Sequence, residues 1–422
     1  MVTEPVSSSI VLPTPKLQGR ALYESMGSPK TVVAPMVDQS ELAWRILSRS
    51  NGANLCYTPM FHARLFGTEE KYRNDQFGEL DGDPTIDRPL IVQFCGNDPD
   101  EVLAAAKHVV GRCDAVDLNL GCPQGIARRG HYGSFLMEDW DLIYKIINKL
   151  HTELEIPVTC KIRRYDTKEK TLEYAKMVVS AGAQILTVHA RTREMKGQQT
   201  GLADWSYIKY LRDNLPPEVV MFANGNILYQ EDVERCISET GVDGVMSAEG
   251  NLYNPAIFNV DKTEINDTYP RVDMLLRKYF DIAKDTPGNA NLSAMKSHFF
   301  KILHAFLPKH IDIRNELGPV KKGQLNLYEE VVEKVEKRVQ EIYAEDTDLI
   351  TQNDKYKEIP YWRCQPYFRV VYGVASNGKV TGTGKREGES IGVKDAQQSK
   401  KHAGEDHVKD REEPREAGVT VS

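Results

Sequence analysis

Thiol chemistry is the first possibility this chain offers. Cys122 closes the run Val116 to Pro123, VDLNLGCP, and Arg128, Arg129 and His131 follow shortly after it. In that run Val116, Leu118 and Leu120 alternate with Asp117, Asn119 and Gly121, the period-2 pattern of a strand with one apolar and one polar face. Gly121 permits a tight backbone and Pro123 stops the ladder, so the cysteine is presented at a strand's C-terminal end. A thiol on a rigid strand end beside basic groups could be a nucleophile or a proton donor. Alone, it reads equally well as a small buried hydrophobe.

Other polar residues end short apolar segments in the same way. Pro35 and Met36, Gln93, Asn119, Lys161, His189 with Arg191, Asn224-Gly225-Asn226 and Ala248-Glu249-Gly250 all do so. Thr159, Lys161 and Arg163 share one face of their segment, and Thr187, His189 and Arg191 share one face of theirs. If the apolar faces meet helices, Lys161 and His189 point into a common mouth. Singly, Gln93 reads as a satisfied core amide, Lys161 as a surface amine and His189 as a buried imidazole bonded to backbone. Those readings do not explain several inward polar groups converging at one end. The last two triplets are small or flexible enough for backbone N–H groups to approach a phosphate. A phosphate there, with Gln93, Lys161 and His189 above the centre, suits a flat cofactor with a ribityl-phosphate tail. FMN has that shape, and a lysine near its N1 would stabilise the reduced anion.

The elements that must position these groups repeat. Strands are predicted over 31–37, 54–60, 90–95, 115–120, 158–163, 185–190, 220–223 and 244–248, with helix-like stretches between them. Asp98-Pro-Asp-Glu101 and Asp38 to Glu41 have capping-box spacing, and Gly182 suits the end of a helix. Residues 62–88 read as a polar loop insertion. Eight such units predict an α/β fold, a closed (β/α)8 TIM barrel. An open doubly wound sheet would favour a GxGxxG turn after the first strand, and Ala34-Pro35-Met36-Val37 has none. Helical spacing then continues through Val272, Leu275, Leu276, Tyr279 and Ile282, through Met295, Phe299, Ile302, Leu303 and Phe306, and through Val332, Val335, Val339 and Ile342. The expected organisation is a flexible arm at 1–29, a cofactor-binding barrel at 30–258, a helical domain at 259–345 and an extension at 346–422. That extension is expected to be largely disordered after about 373, where Gly, Lys and Glu dominate. The aromatic stretch PYWRCQPYF, 360–368, is expected to pack against something.

Bulk properties narrow the setting. In 422 residues, 41% hydrophobic and 27% charged content describe a soluble globular protein. Neither a secretion signal nor a membrane span is expected from the apolar pattern. Seven cysteines, odd in number and never in a CxxC pair, fit a reducing compartment, cytoplasmic or nuclear, and support neither structural zinc nor a disulfide scaffold. A net charge of −7 weighs mildly against nucleic acid. Locally, however, Arg128, Arg129, Arg163, Arg164, Arg191, Arg193 and Lys196 place positive charge around the expected mouth, where an RNA backbone could approach. A second basic set is Lys296, Lys301, His304, Lys309, His310 and Arg314.

Several segments carry a resemblance. APM at 34–36, VQF at 92–94, NLGCP at 119–123, KIR at 161–163, VHAR at 188–191 and ANGNI at 223–227 resemble, in content and order, the tRNA-dihydrouridine synthases. The likeness continues through SAEGNLYNP at 247–255. VAPMVDQSELAWRIL, DLNLGCPQGIARRGHYGSFLM and PYWRCQPYF are similar to the eukaryotic class acting on D-loop uridines, the 16/17 type. The resemblance implies an FMN enzyme that reduces a uridine C5–C6 double bond with NADPH or NADH. Reduced flavin delivers hydride to C6, and the residue matching Cys122 protonates C5. It implies FMN contacts at Pro35, Met36, Val37, Gln93, Lys161 and His189, with phosphate-side contacts at Asn224, Gly225, Asn226, Ala248 and Glu249. The partner implied is the tRNA D-loop, met by a monomer without metal or membrane. Relatives usually carry Gly-Arg where this chain has Ala248-Glu249, so a carboxylate stands where an arginine would attract phosphate. A thiol of ordinary pKa is largely protonated at neutral pH, which suits a donor. Two other readings stay open: an FMN barrel acting on a free pyrimidine, and an RNA-binding barrel without chemistry.

Overall fold

A computed structural model describes residues 16–345, 351–352 and 357–368 of the chain. Its eight parallel strands close in sequence order into one barrel: β1 (Thr31–Val33), β2 (Leu55–His62), β3 (Leu90–Cys95), β4 (Ala115–Leu120), β5 (Val158–Arg163), β6 (Ile185–His189), β7 (Val220–Asn224) and β8 (Gly244–Ser247). β1 pairs with both β2 and β8, which shuts the ring. The first strand is shorter than its apolar run implied. Pro35 has no N–H to offer a ladder, so Pro35, Met36 and Val37 leave the barrel as a loop on the mouth side. β2 runs on to His62 instead, through a register shift between Tyr57 and Met60 that accommodates Pro59.

Helix ends follow local chemistry in some places and tertiary contacts in others. Asp98 caps Pro99–Lys107 by accepting from the N–H groups of Asp100 and Glu101. Thr167 caps Lys168–Ser180, and Gly182 follows that helix at φ +120. Asp38 does not cap the next helix. Leu42–Arg49 begins after Glu41 with no side-chain cap. Glu41 instead reaches the helical layer, where its carboxylate accepts from Tyr279 Oη at 3.2 Å and pairs with His298 Nε2 at 3.0 Å. The expected loop insertion is also not plain loop, since it holds the helices Ala63–Thr68 and Glu70–Gln76. Its polar composition hid them. The first buries Ala63 and Phe66 against the barrel wall, with Phe61, Phe77 and Phe94 around Phe66. Arg45 pins the far end of the insertion. It is fully buried and donates through Nε and Nη2 to Asp87, at 2.8 and 2.5 Å, and through Nη2 to Asp81 at 2.7 Å.

Beyond the barrel, Val272–Asp285, Asn289–Ile302, Ile311–Leu317 and Leu325–Glu345 form the helical layer. Val272, Leu275, Leu276 and Tyr279 are buried at the expected spacing, as are Val332, Val335 and Val339. These side chains belong to one continuous apolar cluster with the barrel's outer wall. Burying each contributes roughly 1.5–3 kcal/mol. Trp44, from the barrel side, stacks on His298 with ring centroids 4.0 Å apart. The aromatic stretch packs as expected: Arg363 is fully buried and donates to Tyr269 O and Asn266 Oδ1, while Tyr367 stacks on Tyr253. No helix among the described residues is long and apolar enough to cross a membrane. The expected flexible arm is corrected over its described part: Gly19–Ser25 is a helix whose buried Leu22 and Tyr23, with Met26, pack on Val220 and Phe222, and Tyr23 Oη donates to Asp243 O at 3.0 Å. Residues 1–15 and the tail after about 373 lie outside the described residues.

Candidate active site

Strand register explains why polar groups are tolerated inside the barrel. Gln93, Asp117 and Thr159 are Cα partners across β3, β4 and β5, and all three are buried. Gln93 Nε2 donates to Asp117 at 2.8 Å, and Thr159 Oγ1 donates to the other carboxylate oxygen at 2.6 Å. Burial pushes the Asp117 carboxyl up to about 6, against those two hydrogen bonds and Lys161, which lower it. Gln93 Oε1 accepts from Asn119 Nδ2 at 2.8 Å, so both ends of the Gln93 amide are engaged beneath the mouth.

Asn119 passes this order upward to Cys122. Its Oδ1 accepts from the N–H groups of Gly121 and Cys122 at 3.1 and 2.9 Å. The Cys122 carbonyl accepts from Ser134 N and Ser134 Oγ at 3.1 and 3.0 Å. The cysteine is therefore gripped at both peptide ends while its thiol stays partly open. Burial raises the thiol pKa, opposed by the Gln124 N–H and by the charges of Arg163, Lys161 and Lys196. The group is thus a protonated thiol at neutral pH. Arg128 and Arg129 are not among the largest influences on it.

Gly133 completes the grip. It sits at φ +64, and a Cβ there would come within 2.8 Å of Cys122 O and 3.0 Å of Cys122 Cβ. Gly133→Ala is expected to shift the thiol and lower turnover by about 10²-fold, the scale for small misplacements of a reacting group. Steady-state kinetics would show the loss, and thermal melting would show that the variant still folds.

Lys161, on β5, faces the same mouth. Burial, then Arg163, lowers its ammonium to about 8. Among the described residues it has no hydrogen bond or ion pair, so its charge is available to a ligand. The sign of its effect on stability follows. An unfolded lysine titrates near 10.5, so between about 8 and 10.5 the folded chain binds fewer protons and gains stability as pH rises. At neutral pH the buried charge is a net cost. Lys161→Met is expected to stabilise the ligand-free protein by about 1 kcal/mol and flatten its stability across that window. Urea titrations at pH 7 and 9.5 would check it.

His189, at the end of β6, is held neutral by burial and by Lys161, Arg163 and Arg191, which drive its pKa well below 6.5. Arg191 Nη1 lies 3.1 Å from His189 Nε2. A guanidinium only donates, so Nε2 accepts and the proton sits on Nδ1. Behind it, Gly225 at φ +117 would place a Cβ 2.7 Å from Ala203 Cβ and 3.2 Å from His189 Cδ2, so only glycine lets this loop close. Asn224 ties β7 to β8 through its Nδ2 on Met246 O at 2.9 Å.

The sequence that builds this site matches known proteins. The family model described as dihydrouridine synthase (Dus) matches residues 32–347. The Saccharomyces cerevisiae tRNA-dihydrouridine(16/17) synthase [NAD(P)(+)] is 58% identical over 394 residues, covering 90% of this chain and 93% of the yeast protein. The Schizosaccharomyces pombe protein of that name is 52% identical over 368 residues, covering 84% and 91%. A mouse tRNA-dihydrouridine(16/17) synthase [NAD(P)(+)]-like protein is 48% identical over 356 residues, covering 84% and 72%. This chain belongs to the dihydrouridine synthase family. It is accordingly an oxidoreductase built on a TIM barrel.

Within this dihydrouridine synthase, the barrel brings Cys122, Gln93, Lys161, His189 and Asn224 to one end, with Pro35, Met36 and Val37 in the loop after β1. Val37 is 53% exposed. Ala248 and Glu249 start the short helix Glu249–Tyr253 after β8. The Glu249 carboxylate acts on His304, whose ring lies against Tyr253 and Tyr367.

The expected basic rim is smaller than its sequence. Arg163 is buried and donates to the carbonyls of Gly121 and Thr192 at 2.6 and 2.7 Å, so it builds the mouth instead of facing solvent. Arg193 pairs with Glu138 and Glu194. Arg128 and Arg129 are exposed, and among the described residues their side chains make no ion pair or hydrogen bond. In the helical layer, Lys296 is tied to the carbonyls of Gly318 and Val320, and His310 to Arg338. Asp117 and Thr159 were missed as site builders. The inward face of VDLNLG carried a signal for the first, but its partners depend on register.

Proposed function

We propose that the protein is a flavin-dependent tRNA-dihydrouridine synthase of the 16/17 class, reducing the C5–C6 double bond of D-loop uridines with NADPH or NADH. One arrangement carries the reading: a burial-protonated thiol at Cys122 and the Lys161 ammonium, which makes no hydrogen bond or ion pair among the described residues, open to one barrel mouth. The yeast relative's name gives the positions and the nucleotide reductant.

The residues present fit FMN. Lys161 offers an ammonium with free N–H donors, and the Gly225 turn leaves no room for a side chain beside His189 and Arg191. Lys161 and the Nδ1–H of His189 would hold the ring's polar edge, with the remaining amide N–H of Gln93 and the loop of Pro35, Met36 and Val37 beside it. Asn224, Gly225, Asn226, Ala248 and Glu249 would hold the phosphate side, the last two through backbone N–H groups. When bound, FMN supplies the hydride that reaches uracil C6.

Cys122 supplies the proton. A carbanion developing at C5 is a far stronger base than a thiolate, so transfer from the thiol is downhill even with its raised pKa. Arg163, Lys161 and Lys196 then stabilise the thiolate until water reprotonates it. Arg128, Arg129 and Lys196 would meet the tRNA backbone, with the helical layer at 259–345 as a second contact region. The target base leaves its stack to enter the mouth. The protein would act as a monomer in cytoplasm or nucleus. Incubating the reduced protein with free uridine and with unmodified tRNA tests the reading. Turnover of tRNA is expected, and turnover of the free nucleoside alone would overturn it.

A further inference from the structure

We infer that Arg191 is the cation of the cofactor's phosphate corner. This deepens the flavin reading above and rests on it. The β8 side of that corner is acidic: Glu249 opens its helix, and residues 224–226 and 248–250 contain no lysine or arginine. A phosphate seated there needs its charge met from elsewhere.

Arg191 is fixed against the turn that such a phosphate would approach. Its Nη2 donates to Asn226 Oδ1 at 2.6 Å, its Nε and Nη2 to Gly201 O at 3.2 and 3.1 Å, and its Nη1 to His189 Nε2 at 3.1 Å. Asn226 itself sits at φ +60, held from its other end by Nδ2 on Ala203 O at 3.0 Å. A Cβ on Gly225 would stand 3.5 Å from Arg191 Nη1, so the guanidinium packs directly against the backbone of this turn. Arg235, whose ring partner Trp205 donates to Gly225 O at 2.8 Å, is less suited. It packs on that ring at 5.1 Å, is 58% exposed, and pairs with Asp232 at 2.7 Å. The sequence placed Arg191 on an RNA-facing rim. Its hydrogen bonds place it between the two ends of the flavin site, orienting His189 at one and the Gly225 turn at the other.

Charge and scaffolding have different signatures. The test titrates flavin-free full-length protein with FMN and with riboflavin, which lacks the phosphate, following quenching of flavin fluorescence. Arg191→Met is expected to lose FMN affinity by roughly 10- to 100-fold, the range for a charge-assisted hydrogen bond, with riboflavin affinity changed by less than about 3-fold. Arg191→Lys should keep most of the preference for FMN, and thermal melting of both variants reports whether they fold. Equal loss for the two ligands would show scaffolding alone and overturn the inference, as would no loss. Wild-type protein that bound neither flavin would overturn the flavin reading and the inference with it.

Discussion

Cys122→Ala is expected to retain bound flavin and to reduce tRNA at least about 10²- to 10⁴-fold more slowly, the usual contribution of a positioned general acid. The substitution isolates the sulfur. The contacts that fix this residue run through its backbone, from Asn119 Oδ1 to its N–H and from Ser134 to its carbonyl, and alanine keeps them. Gly133 packs against the carbonyl and Cβ, which alanine also keeps. Loss of rate therefore reports loss of the proton. Because burial holds the thiol above its ordinary value of 9.0, the wild-type protonation step should persist through mildly alkaline pH and decline only above it. Single-turnover oxidation of the pre-reduced protein by tRNA measures this directly. A wild-type rate in the alanine variant would remove Cys122 from the chemistry.

Arg45→Met should destabilise the protein by about 3–5 kcal/mol, the scale for removing one partner of a buried ion pair. Arg45 and Asp87 are both fully buried, and Asp87 also accepts from Gly82 N at 2.9 Å. Without the guanidinium, Asp87 is left with only the longer contact to Arg49 Nη2 at 3.5 Å, and Asp81 loses the partner that offsets its own burial. Urea denaturation would show a lower midpoint with little change in slope. Adding Asp87→Leu should recover part of the loss, since the stranded carboxylate is then gone.

Legibility in the sequence tracked how local each interaction is. The barrel came from alternation and repetition, which neighbouring residues determine: β3, β4 and β5 begin and end where their apolar runs do. The inward set of Gln93, Lys161 and His189 followed from the same parity. Partners separated by long stretches of chain did not follow. Glu41 was read with Asp38 as a local cap, yet its carboxylate bonds Tyr279 and His298 in the helical layer. The roles of Arg163 and Arg191 were misjudged for a related reason. Sequence shows a charge but not its acceptors, and both guanidiniums turn out to organise loop carbonyls and site side chains at the mouth. The helices at 63–76 were hidden because their apolar residues are few and bury against a wall that the local pattern does not reveal.

The central claim is the reaction and where on the RNA it occurs. Nucleotide-resolution mapping of dihydrouridine in tRNA from cells lacking this protein tests it most directly. Loss of the modification at D-loop positions 16 and 17, with dihydrouridine elsewhere intact and both sites restored by the wild-type chain but not by Cys122→Ala, is the expected result. Unchanged dihydrouridine at those two positions would contradict it.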